Sequence, residues 1–185
     1  MTIFSDERDE LYNNEYGSCA YIVGAIRVIT DNFDMALYEA GVHYEALASD
    51  VFCIDGLDES IIKKHIIERI RNLVEDKLED NFDEKLLAEI EKLDIKPTNM
   101  SMQETIFRYY KNRLDCDNEK VKATTEKYAK GVEYYLGKPK NVYEADKDTI
   151  DVCGILSSAY LGILFNIVFV EYEKHMLMFL HGSCE

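Results

Sequence analysis

Asp115, Asp117, Glu119 and Glu126 stand at positions one, three, five and twelve of a calcium-loop template, and carboxylates at those places are what a hard dication would take. Position six of such a loop turns sharply and needs glycine, but here it is Lys120. Position eight is Lys122 where an apolar residue belongs. The same acids suit the start of a helix, whose positive dipole end favours them. His65 and Glu68 are three residues apart, yet a di-metal bundle needs a second matching pair that the chain lacks. His175, His181 and Cys184 cluster without a companion Cys-x-x-Cys, so a four-ligand zinc set is incomplete. There is no Gly-x-Ser-x-Gly elbow, no Gly-x-x-x-x-Gly-Lys-Ser/Thr loop and no Gly-x-Gly-x-x-Gly fingerprint. The sequence therefore assigns no catalytic, metal-binding or cofactor-binding residue.

Charge carries more information. The 185 residues hold 36 acids against 21 Lys and Arg, a net of −15. Residues 1–60 contain thirteen acids and two bases, residues 61–150 nineteen and eighteen, and residues 151–185 four and one, so the imbalance sits in the first third. Such a chain is ill suited to phosphate backbones, which need clustered Lys and Arg, and direct nucleic-acid binding is not expected. Its natural complement is a basic protein. Between Arg27 and Lys63 no base interrupts Asp31, Asp34, Glu39, Glu45, Asp50, Asp55, Asp58 and Glu59. Phe33, Tyr38, Tyr44 and Phe52 are interleaved with them. The expected partner-binding set is these eight acids with Tyr38 and Tyr44 as aromatic anchors, set against the plainer reading of a solvated face.

The elements that must carry these residues are mostly helical. An acidic helix is expected over 5–13. From Tyr16 to Ala40, Ile22, Ile26, Ile29, Phe33 and Leu37 recur at three- and four-residue steps, and Gly41 ends the run. Asp58 would cap a helix reaching Glu79 with Ile62, Ile66, Ile70 and Leu73 inward, and Asp83 a short one holding Leu86, Leu87, Ile90 and Leu93, stopped before Pro97. Ser101 and Glu104 have capping-box spacing, and Asn118 to Leu136 reads as a helix closed by Gly137 and Pro139. Val51 to Ile54 is a candidate short strand.

Residues 154–170 carry no charge. A membrane helix needs about 20 apolar residues, and this run contains Asn166, Ser157 and Ser158 without flanking bases on its N-terminal side. A buried β-hairpin fits better: Tyr160–Tyr172, a Glu173-Lys174 turn, then His175–His181. Strands apolar on both faces must be covered on both faces, and the preceding helices are available to do so.

The ending Phe165-Asn-Ile-Val-Phe-Val-Glu-Tyr-Glu-Lys-His-Met-Leu-Met-Phe-Leu-His-Gly-Ser-Cys-Glu185 resembles the C-terminal hairpin of small bacterial immunity proteins, which neutralise polymorphic or contact-dependent toxins. The likeness covers residues 160–185. It implies a cytoplasmic inhibitor that binds one toxin domain, and an acidic face would suit a basic nuclease.

The expected architecture is α+β, predominantly helical, with a C-terminal antiparallel hairpin and Val51–Ile54 as a candidate third strand. One domain is expected over 1–185, divided into an acidic helical part (1–60), amphipathic helices (61–138) and the hairpin (151–185). Scattered cysteines, odd in number (Cys19, Cys53, Cys116, Cys153, Cys184), and an acidic N-terminus without an apolar core fit a reducing cytoplasm and no membrane; the resemblance implies a bacterial one. The leading expectation is a non-enzymatic immunity-type protein. A phage-type acidic mimic of nucleic acid and an enzyme or metal-dependent protein built from scattered residues are the alternatives.

Overall fold

The computed structural model describes residues 20–42, 46–53, 59–74, 84, 88, 90–91, 93–113, 119–146 and 164–183. Within them run α1 (Ala20–Glu39), β1 (Ala46–Cys53), α2 (Glu59–Val74), β2 (Asp94–Thr98), α3 (Met102–Arg113), α4 (Glu119–Leu136), β3 (Asn141–Asp146), β4 (Leu164–Glu171) and β5 (His175–Ser183). The strands form one antiparallel sheet in the order β1-β5-β4-β3-β2.

Alternation along the two central strands explains the long apolar run. Val168 and Val170 of β4, with Leu177 and Phe179 of β5, point to one face, where α1, α3 and α4 cover them with Ile26, Phe33, Ile106, Tyr110, Val121 and Tyr128. Ile167, Phe169, Met176, Met178 and Leu180 point to the other, where Ile62 and Ile66 of α2 and Ile90 cover them. A strand clothed by helices on both faces has no solvent side, so its polar–apolar alternation disappears.

Local signals stop the helices where the sequence places them. Gly41 adopts φ 86°. Its N–H donates to the Tyr38 carbonyl (3.0 Å) and the Val42 N–H to the Leu37 carbonyl (3.0 Å), a Schellman closure with buried Leu37 and Val42 as its apolar contact. Gly137 ends α4 in the same left-handed region, at φ 84°. At α3 the Ser101 N–H donates to Glu104 Oε2 (2.8 Å) and the Glu104 N–H to Ser101 Oγ (3.2 Å), the expected reciprocal box.

The α+β class holds, but the helices do not predominate. The hairpin turns at the expected residues and forms the centre of a five-stranded sheet. The candidate third strand is longer than Val51–Ile54, beginning at Ala46, and pairs with β5 along its length. Two strands were not foreseen. β2 contains Pro97, which reads as a helix stop; as an outer strand it tolerates a residue with no N–H to donate. β3 is short and carries Glu144 and Asp146, and pairing with β4 rather than its own composition makes it a strand. The expected helix over 5–13 lies outside the described residues, as do Leu86, Leu87 and Glu79.

Candidate functional site

α1 is apolar on two opposite sides. Val23, Ile26, Thr30, Phe33 and Leu37 face the sheet, and Ile22 and Ile29 are half-buried along the same core. Yet Tyr21, Val28 and Met35 are 76%, 58% and 64% exposed. A seven-residue step turns a helix almost two full turns, so these three form a line nearly parallel to the axis, about 21 Å long. The line falls on the side away from the core. Surface helices normally carry polar residues there, and an apolar outer row marks a face that a partner can cover.

Beside this line lie acids of the expected set. Asp31 and Glu39 are exposed and Asp34 is half-buried. Partial burial, and then the nearby Asp31 carboxylate, push Asp34 above the ordinary aspartate range, so the pair repels itself in the folded chain. Tyr38, 67% exposed, stands on the same flank one turn beyond Asp34. Four of the ten predicted residues, Asp31, Asp34, Tyr38 and Glu39, are thus gathered on one helix.

The rest are not brought to them. Asp50 pairs across the sheet with Met178, whose side chain belongs to the α2-covered core, so Asp50 faces the layer opposite α1. Glu59 opens α2, on that same opposite side. Tyr44, Glu45, Asp55 and Asp58 lie outside the described residues. Because β1 crosses between α1 and α2, an acidic run continuous in sequence is divided between two faces.

α4 borders α1 and runs antiparallel to it. The Tyr21 and Tyr135 rings meet edge to face at 6.2 Å, Phe33 stacks on Tyr128 at 4.6 Å, and a Cβ on Gly131 would sit 3.2 Å from Ile29 Cγ2. Gly131 therefore lets the two helices approach closely. Outward, α4 shows Glu119, Lys120, Lys122, Ala123, Lys127, Lys130, Glu133 and Tyr134, the last 83% exposed. Sequence reading missed Tyr21, Val28, Met35 and Tyr134. The seven-residue spacing on α1 was available, but the inward stripe of the same helix masked it.

The residues tested for chemistry are placed otherwise. Glu119 and Glu126 belong to one continuous helix, and Glu126 accepts a hydrogen bond from Lys130 (2.6 Å), so the second half of the calcium template is not a loop. His65 stacks on Phe52 at 4.0 Å. His181 is buried between the Tyr109 and Tyr110 rings, at 4.6 and 4.9 Å, and burial pulls its imidazole down to about 3. On the same side of the sheet the Thr30 hydroxyl donates to the Ile26 carbonyl (2.8 Å), so the 2.5 Å contact with Ser49 is donated by Ser49. The Tyr128 hydroxyl approaches those oxygens without closing a bond of normal geometry, and burial pushes it up to about 12. Thr30, Ser49, Tyr128 and His181 are all buried in the core. Among the described residues no group of three or more His, Cys, Asp or Glu side chains is placed to hold a metal ion. No described helix is long and apolar enough to cross a membrane.

No protein-family model, curated protein or solved structure matches the chain.

Proposed function

We propose that this chain is a non-enzymatic, cytoplasmic, immunity-type protein that binds and neutralises a basic toxin domain through the outer face of α1. The observation that carries this reading is the coincidence, on one rigid helix, of a self-repelling acidic pair with exposed aromatic and aliphatic side chains. Acids on such a face steer a cationic partner and speed encounter, while buried rings hold it once bound. The resemblance of the sequence over 160–185 to the ending of immunity proteins supports the setting.

The test is association with the C-terminal domain of a secreted protein encoded beside this gene, measured at two salt concentrations. Steering by exposed charge predicts slower association at higher salt, where the screening length shrinks below about 10 Å. Asp31→Lys with Glu39→Lys should slow it similarly without altering dissociation, and Tyr38→Ala should act on dissociation. Association indifferent to both salt and charge reversal would leave the acids as a solvated face and sink the reading.

A further inference from the structure

The outer faces of α1 and α4 are complementary to each other, and apart from the Tyr21–Tyr135 ring contact they lie side by side within one molecule, both directed away from the sheet. On α1 they offer Tyr21, Val28 and Met35 with Asp31 and Glu39, and Arg27 on the flank; on α4, Tyr134 and Ala123 with Lys120 and Lys127, while Lys130 is held by Glu126 of its own helix and Glu119 and Glu133 are exposed beside them. We propose that a second copy of this chain docks here, α1 of each copy lying across α4 of the other about a two-fold axis parallel to the helices.

The register follows from contacts already described. A two-fold along the helix direction preserves height, so residues level with one another on α1 and α4 are the ones that meet across the pair. Tyr21 is level with Tyr135, Ile29 with Gly131, and Phe33 with Tyr128. At 1.5 Å per residue this places Asp31 within a turn of Lys127, Glu39 beside Lys120, and Tyr21 at Tyr134 of the opposite copy. Every exposed acid on the α1 line then faces a lysine, and each apolar residue faces an aromatic ring, an alanine or a lysine stem.

The net charge of −15 opposes association of two copies. That repulsion acts over long distances and is screened beyond about 8 Å at physiological salt, whereas the matched pairs act at contact. Most of the excess acid is also carried by other segments. The second copy covers the same face of α1 that the immunity reading gives to a toxin domain, so a toxin would have to displace it; the test needs only the chain itself, and its failure leaves that reading standing.

That test is a charge swap read by sedimentation over a micromolar concentration series. The wild type is expected to dimerise. Asp31→Lys with Glu39→Lys, and separately Lys120→Glu with Lys127→Glu, should each weaken self-association about ten-fold or more, since each sets like charges opposite one another at both contacts. Mixed in equal amounts, the two variants should recover a heterodimer, because the reversed α1 of one meets the reversed α4 of the other while the remaining contact is wild type. A cooperative melting transition in each variant alone shows that the fold is intact. A monomeric wild type, or a dimer that either variant leaves untouched, would overturn the proposal. Two weakened variants that fail to recover on mixing would reject this pairing of α1 with α4.

Discussion

Removing one side of the Thr30–Ser49 contact leaves a buried hydroxyl without its neighbour, and the two sides are not equivalent. Thr30 accepts from Ser49 while donating to Ile26, so Thr30→Val strands the Ser49 proton in the core. A cost of about 1–3 kcal/mol follows, with less for Ser49→Ala, which leaves only a lone pair. The double variant should regain part of the loss, as a double-mutant cycle by urea unfolding would register. His181 belongs to the same scale. Its folded pKa is about 3 against 6.5 unperturbed, so the unfolded chain takes up a proton below 6.5 that the folded chain refuses. Its contribution to stability is whole above pH 6.5 and declines as pH falls towards 3, by about 1.4 kcal/mol per pH unit. His181→Leu should therefore lose less stability than the wild type between pH 7 and pH 5; equal losses would show that the imidazole titrates alike in both states.

Helices were legible because each is written twice, in an apolar period and in a cap. Ser101→Ala removes one half of the box at α3 and should lower stability by about 1 kcal/mol, a shift visible in thermal melting. Gly131 is a different kind of determinant, since it limits how near α4 comes to α1. A leucine there would press on Ile29, and overpacking of that sort costs about 1–3 kcal/mol in chemical unfolding. Strands β2 and β3 were illegible because what makes them strands lies in their neighbours: β3 extends along β4, and β2 along β3. Residues 141–144 align with 168–171, and only a partner already in the sheet gives Asn141–Asp146 a reason to extend. The candidate site was half legible for a similar reason. Composition revealed the acids of α1, but the turn of the chain through β1 decided which of them share a face, and the outer apolar line is defined only once the inner side of the helix is known.

At the scale of the whole molecule, the hairpin is the shared floor of two cores. β5 pairs with β1 on one side and β4 on the other while sending alternate side chains into both layers. A chain ending at Tyr172 should show no cooperative melting transition and should aggregate, because β1 loses its described partner and helices on both faces lose what they cover. A sharp transition in that truncated chain would mean that the layers stand independently.

The pairing of Ala46 with Gly182 also sets a timetable. β1 is synthesised early, yet the strand it pairs with follows every other described element, so the sheet cannot close while the ribosome is still working through the middle of the chain. At about 5–20 residues per second, β1 and α1 wait several seconds or more for their neighbour. The acids that precede and flank them keep the waiting segment hydrated and mutually repelling, a benefit during translation that is separate from any partner they later meet. A nascent chain abandoned before β5 would leave those apolar surfaces open, making it ready prey for quality-control proteases rather than a fragment that lingers and competes with the finished protein.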